Sequence, residues 1–282
     1  METPQDRGRG QAAGRRRKDR PSPLAGRRAL VVGGSGGIGA ALAAALAARG
    51  ADLLIHGGSS RERLAAAVAR AEEAGRGALG DEASGRAPAG ASARPSVESL
   101  LLPLERPSDL VDRLPGLGRV DILAVAFGPF VRKALHETGA ADWERLALLD
   151  LALPGALASA LIPAMAARGY GRILFFGGTR TDAIRAYSSN AAYAAAKTGL
   201  AVLAKSIAAE YSQAGIGAFV LCPGFVDTEY LGEGQRAELR SKAPGGRLIE
   251  AEEIAEFAAS LVAAEPCIAS GAVVALDGGL KL

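Results

Sequence analysis

The chain has 282 residues, 49% of them apolar and 22% charged, with a formal charge of +3. These proportions suit a chain that buries a core, and they exclude wholesale disorder and fibrous architecture. Cys222 and Cys267 stand far apart with no second pair nearby, which argues against disulfide scaffolding and a zinc ligand set and for a reducing compartment.

The charge is unevenly placed. Residues 1–28 carry nine Arg or Lys against three acids, a net of +6, which leaves −3 for the remainder. The basic segment is Gly/Arg/Pro-rich and lacks the apolar content to order itself, so residues 1–26 read as a disordered tail and 27–282 as the folded domain. Its twin arginines have no following apolar stretch or cleavage site, so no export signal is expected. A basic tail attracts polyanions without reading sequence, and no specific nucleic-acid partner is expected. Residues 75–96 are rich in Gly, Ala, Ser and Pro without an apolar period and read as a surface insertion. Leu146–Ala167 approaches the length of a membrane span but contains Asp150, Pro154 and Pro163, so the expectation is a packed helix in a cytoplasmic protein with no membrane partner.

In chain order, periodicity predicts a strand over Ala29–Val32, a helix over Ile38–Arg49, a strand over Asp52–Ile55 and a helix over Arg61–Ala74. After the insertion come a strand over Leu100–Leu104, a helix over Ser108–Leu114, a strand over Ile122–Ala126 and a long helix from about Asp142 to Arg168. The strand Arg172–Phe176, helix Ala192–Gln213, strand Gly217–Cys222, helix Glu250–Ala264 and strand Ala272–Leu276 complete the chain. Strands alternating with helices of this length specify right-handed crossovers and a single doubly wound α/β domain of Rossmann type, a parallel sheet with helices on both faces. Ligands bind such sheets at the carboxyl ends of the strands, where the winding reverses.

The first strand runs directly into Gly33-Gly34-Ser35-Gly36-Gly37-Ile38-Gly39 and then into an alanine-rich helix. With 37 glycines in the chain, a bare G-x-G-x-x-G match over Gly34, Gly36 and Gly39 is weak. Its position between strand and helix is what points to a nucleotide. Glycines let the backbone approach a pyrophosphate, whose charge the helix amides and dipole stabilise. Tyr193 and Lys197 lie four apart on a predicted helix and therefore share a face. A neighbouring ammonium favours the phenolate, so the pair is expected to move a proton nearer neutral pH than tyrosine alone.

From Arg28 to Gly279 the chain resembles the short-chain dehydrogenase/reductase family. Gly33, Gly37 and Gly39 match its TGxxxGIG loop, and Tyr193 with Lys197 matches its YxxxK motif. Pro223-Gly224-Phe225-Val226-Asp227-Thr228 looks like its segment beside the nicotinamide. The resemblance implies a cofactor held by Gly33, Ser35, Gly37, Ile38, Gly39, Gly128, Tyr193, Lys197, Pro223, Gly224, Val226 and Thr228. It also implies a homotetramer or dimer built on the helix containing Asp150 and the helix following Tyr193.

The chain departs from the family at four places. Val32 replaces the usual Thr, and Val125-Ala126-Phe127-Gly128 stands where the family has NNAG. Asp150 takes the place of the helix Asn that supports a relay to the lysine. The carbonyl-holding serine is missing: counting from the strand puts Gly178 there, and counting back from Tyr193 puts Arg180 there. Thr179 is the first substitute for its hydroxyl and Thr181 the second. At the end of the second strand no acid is present to bind a ribose 2′-hydroxyl, whereas Ser59, Ser60 and Arg61 suit a 2′-phosphate, so NADP is expected ahead of NAD.

With the resemblance, these features imply an NADP-dependent carbonyl reductase or alcohol dehydrogenase of 3-oxoacyl-reductase type. Tyr193 is the expected proton donor, with Lys197, Thr179 and Asp150 as the other catalytic residues. The alternative is a nucleotide-binding protein of the same fold with little or no catalysis, acting as a partner or regulatory subunit. His56 and His136 have no partners at ligand spacing, and no metal is expected.

Overall fold

The computed structural model describes residues 22–77 and 94–281. The apolar runs around Leu30, Leu123, Ile173 and Phe219 are buried without alternation, as strands covered on both faces must be. They build a seven-stranded, all-parallel sheet in the order β3-β2-β1-β4-β5-β6-β9. Its members are β1 (Arg28–Val32), β2 (Asp52–Gly57), β3 (Val97–Leu101), β4 (Ile122–Val125), β5 (Gly171–Phe176), β6 (Ile216–Pro223) and β9 (Val273–Leu276). Two-residue strands β7 (Val226–Asp227) and β8 (Ile249–Glu250) pair separately.

One core layer joins the sheet to α1 (Gly37–Ala47), α2 (Arg61–Gly77) and α8 (Ala251–Ala263). The other joins it to α3 (Ser108–Val111), α5 (Leu153–Ala167) and α6 (Ala191–Tyr211). Winding starts outward from β1 through β2 to β3 and then reverses to β4, so the β1/β4 boundary is the switch point. The alanines of α1 are nearly all buried because a helix this thin lets α2 and α8 both approach it.

The helix predicted from about Asp142 is three consecutive pieces: α4 (Ala140–Leu146), a π-helical segment over Ala147–Ala152, and α5. Pro154 has no N–H, so the carbonyl of Asp150, four residues earlier, has no α-helical donor, and the chain widens there. This helical stretch, Ala140–Ala167, is long and apolar enough to cross a membrane, yet half of its most apolar window is buried inside the fold.

Some boundaries move. The ordered chain begins before residue 27: Leu24 is 1% exposed, and its N–H donates to the Arg49 carbonyl. The third strand lies three residues earlier than expected, at Val97–Leu101, because this edge strand pairs only with β2 and includes the exposed Glu98 and Ser99, which break the apolar run. Residues 75–77, assigned to the insertion, continue α2, where Gly75 is buried beside Pro95. Tail residues 1–21 and insertion residues 78–93 lie outside the described residues. The helix α7 (Glu233–Lys242) has no buried residue and so gives no apolar period; ion pairs Arg236–Glu233 at 3.0 Å and Lys242–Glu238 at 2.6 Å lie along it.

Candidate active site

The carboxyl ends of β1, β2, β4, β5 and β6 converge on one edge of the sheet and bring the sequence-predicted residues together in two halves.

In the first half, Gly33 leaves β1 with φ of 81° and lies so close to the chain after β4 that a Cβ would stand 2.9 Å from the Ala126 carbonyl. At Gly39 a Cβ would meet the Gly33 carbonyl at 2.1 Å, so α1 reaches the loop only because this residue has no side chain. His56, buried on β2, fixes the loop from the side. Its Nδ1 accepts the Gly33 N–H at 3.2 Å, and its Nε2 then donates to the Leu102 carbonyl at 2.8 Å. Burial lowers its pKa, which keeps it in the neutral form this pattern needs. Sequence reasoning gave His56 no role; a lone histidine in an otherwise apolar strand was the available signal.

Ser35, Gly37, Arg63, Thr228 and Glu229 line a cleft of about 680 Å³ between this loop and the chain after β6. Glu229 carries a feature the sequence did not reveal: the Gly37 N–H donates to both oxygens of its carboxylate, at 3.0 and 3.2 Å. An anion therefore already sits at the amino end of α1, where backbone donors and helix dipole favour negative charge. Tyr230 follows it, with the Arg63 guanidinium 5.3 Å from its ring centroid. Ser59 and Arg61 are exposed at the end of β2, and Ser60 caps α2 through its hydroxyl and the Arg63 N–H at 3.2 Å. Asp52, at the far end of β2, is occupied by Ser96.

The second half is built on α6 and the π segment. Lys197 Nζ and Asp150 Oδ1 form an ion pair at 3.0 Å, with side chains 6% and 0% exposed. The widened helix turn delivers Asp150 to this place. Gly128, the retained glycine of the altered NNAG stretch, completes the packing: a Cβ there would meet Asp150 Oδ1 at 1.9 Å and Lys197 Nζ at 3.0 Å. Burial raises the Asp150 pKa, and Lys197 opposes that rise.

Tyr193 lies beside this pair, its ring centroid 5.8 Å from Lys197 Nζ and edge-on to Phe130. The expectation that Lys197 draws the phenol toward neutral pH is corrected here. Burial, and next the Asp150 charge, push the Tyr193 pKa up. The ammonium is spent on Asp150, whose own charge opposes a phenolate.

Gly178 is the residue that faces the phenol, since a Cβ there would stand 2.9 Å from the Tyr193 hydroxyl oxygen. Thr179 and Thr181 face elsewhere. Thr179 Oγ1 donates to the Gly224 carbonyl at 3.3 Å, while Thr181 is buried and accepts the Gly178 N–H at 2.8 Å. Pro223 ends β6 and Gly224 follows it beside this loop, and Val226 pairs with Ile249.

The family profile described as Enoyl-(Acyl carrier protein) reductase matches residues 105–281. The chain is 32% identical over 263 residues to 3-oxoacyl-(acyl-carrier-protein) reductase FabG of Escherichia coli K12, covering 91% of this chain and 98% of that protein. It is 34% identical over 262 residues to cis-4-hydroxycyclohexanecarboxylate dehydrogenase of Sinomonas cyclohexanicum, covering 91% and 97%. Among solved structures it is similar to a 3-oxoacyl (acyl-carrier-protein) reductase from Agrobacterium tumefaciens C58 with NADP bound, with TM-score 0.76, 28% identity, and 91% and 95% coverage. It is also similar to a short-chain dehydrogenase/reductase from Serratia marcescens, with TM-score 0.76, 27% identity, and 91% and 98% coverage. Matches along most of the length, on a parallel sheet with the switch point and glycine loop described above, make this chain a member of the short-chain dehydrogenase/reductase family, an oxidoreductase of the class that interconverts alcohols and carbonyls.

Proposed function

We propose that the protein is an NADP-dependent carbonyl reductase or alcohol dehydrogenase with Tyr193 as its proton donor. The observation that carries this reading is the Tyr193–Lys197–Asp150 cluster packed over Gly128 at the carboxyl edge of the sheet, at the same edge as the glycine loop that leads into α1.

The glycine loop fits the cofactor. Gly33 and Gly39 have no room for a Cβ, and the Gly37 amide already binds an anionic group supplied by Glu229. Gly33, Ser35, Gly37, Ile38 and Gly39 hold the pyrophosphate in this reading, and Ser59 and Arg61 the 2′-phosphate. Gly128, Pro223, Gly224, Val226 and Thr228 border the nicotinamide. Bound nicotinamide supplies or accepts a hydride at the substrate carbon.

The protein's own part is the proton. A phenol kept neutral by burial is a donor, so Tyr193 gives its proton to the carbonyl oxygen as the alcohol forms. Lys197, neutralised by Asp150, holds the nicotinamide ribose and keeps the helix face in place. Thr179, held by a single 3.3 Å hydrogen bond, is free to turn toward the carbonyl oxygen, whereas Thr181 is locked against Gly178. The likeness to a 3-oxoacyl reductase and to a hydroxycyclohexanecarboxylate dehydrogenase supports a reading in which the reacting carbon is that of a secondary alcohol or a ketone. A homo-oligomer belongs to this reading, with Leu148 and Val202 exposed on the two helices that would form it. So does a reducing cytoplasm, where the free thiols of Cys222 and Cys267 persist.

The test is a titration with NADPH and NADH followed by a panel of ketones, oxo-acids, their esters and acetoacetyl thioesters, with cofactor oxidation as the readout. Turnover with NADPH ahead of NADH is the expected result. Tight binding of the cofactor without turnover on any of them would overturn the proposal.

A further inference from the structure

The loop between β5 and α6 holds a group that the proton-transfer machinery does not use. Arg180 has φ of 63° and is the one non-glycine residue at positive φ among the described residues. L side chains avoid this region, and residues held in it cluster at ligand sites. Its Nε is buried and has no hydrogen-bond partner. The acid within reach along the loop, Asp182, pairs instead with Arg185 at 3.3 Å. The other acid of the site, Asp150, is bound to Lys197. The hydroxyl of Tyr187, in the same loop, is likewise buried without a partner. Buried polar groups are almost always satisfied, so two orphaned donors in one loop mark a missing acceptor.

Their place in the fold says where that acceptor comes from. Gly178 faces the Tyr193 phenol, Thr179 is tied to Gly224, and Thr181 is folded back on Gly178. Arg180 lies between the two threonines. The turn that carries Arg180 begins at Gly178, where a Cβ would stand 2.9 Å from the Tyr193 hydroxyl oxygen, so the loop with the orphaned pair starts at the proton donor. Phe130, 59% exposed, sets its ring edge-on to Tyr193, and Ile184, 94% exposed, lies in the same loop as Arg180 and Tyr187, so both present apolar surface.

We infer that Arg180 and Tyr187 form a substrate subsite for a carboxylate, so that the substrate is an oxo- or hydroxy-acid with an apolar body rather than an uncharged carbonyl compound. A guanidinium offers the paired N–H geometry that a carboxylate accepts, and the phenol adds one further donor. This rests on the proposed reductase activity only for the reacting carbon. Recognition of the carboxylate is independent of turnover.

The experiment separates the two. Benzoate and its neutral counterpart benzamide, neither of which has a ketone, are titrated calorimetrically into the protein with and without saturating NADP+. The same titrations follow for Arg180→Gly, Arg180→Lys and Tyr187→Phe. Glycine suits a φ of 63°, so Arg180→Gly removes the charge without straining the loop, and its melting temperature should not fall. Benzoate is expected to bind at least tenfold tighter than benzamide. That preference should disappear in Arg180→Gly, return in part in Arg180→Lys and weaken severalfold in Tyr187→Phe. In turnover, the preference for oxo-acids over their methyl esters should fall at least tenfold in Arg180→Gly. No preference for benzoate, or a preference that survives Arg180→Gly, overturns the subsite. A preference that depends on Arg180 in a protein that reduces none of the carbonyl compounds supports the subsite and sinks the reductase reading instead.

Discussion

The glycine loop after β1 and the loop after β5 sit at the same edge of one sheet and have been shaped by different demands. The first requires its glycines because backbone atoms occupy the space a Cβ would take: a Cβ on Gly33 would stand 2.9 Å from the Ala126 carbonyl, and one on Gly39 2.1 Å from the Gly33 carbonyl. The second has no hydroxyl at Gly178, where a Cβ would face the phenol, and holds Arg180 in a left-handed conformation. In the proposed reading the first loop meets a pyrophosphate, which presents one shape, and the second meets a substrate, which differs from enzyme to enzyme.

Three substitutions sharpen that contrast. Lys197→Met is expected to be the most damaging, because it leaves the Asp150 carboxylate buried without its counter-charge. Breaking a buried pair on one side costs about 3–5 kcal/mol, and chemical denaturation should show a loss of this size. Lys197→Met combined with Asp150→Asn should recover most of it. An undiminished stability in the single variant would mean that Asp150 is not charged in the folded protein.

Asp150→Asn alone tests the electrostatics around the phenol. Burial is the main reason the Tyr193 pKa is raised, and the Asp150 charge adds to it. Removing that charge, and releasing Lys197 from its partner, both favour the phenolate. The rise of alcohol oxidation with pH should therefore move to lower pH in the variant. A shift to higher pH, or none, would separate Asp150 from the proton transfer.

Glu229→Gln should have the smallest effect of the three. The carboxylate holds the Gly37 amide that a pyrophosphate would claim, and a charge at a helix amino terminus contributes about 1 kcal/mol. Losing this internal competitor should tighten NADPH binding roughly fivefold. Weaker binding would show that Glu229 assists the cofactor.

Much of this was legible in the sequence, and the reasons differ by region. Continuous apolar runs separated by helical periods gave the parallel sheet, because strands covered on both faces have no other way to be written. The edge strand β3 was misplaced by three residues since its one-sided pairing leaves a mixed pattern. The glycine loop could be read from spacing because its residues are consecutive. Asp150 could be assigned to its position, but not the π-helical turn that aims it, which depends on the missing N–H of Pro154 four residues on. Glu229 reaches Gly37 across 192 residues, and no local pattern records such a contact. His56 was visible only as a polar residue in an apolar strand. The serine position had two answers by counting, Gly178 and Arg180. The backbone distinguishes them by direction: Gly178 faces the phenol, and Arg180 belongs to the turn beyond it.

In the proposed reading the substrate half moves a proton through Tyr193 despite its altered neighbours. Turnover of a reducible oxo-acid by NADPH, compared between the unmodified protein and Tyr193→Phe under cofactor saturation, tests it most directly. General acid catalysis contributes about 10²- to 10⁴-fold. A loss in that range, with NADPH affinity within about twofold of the unmodified protein, is the predicted result, and turnover that survives the loss of the hydroxyl would contradict it.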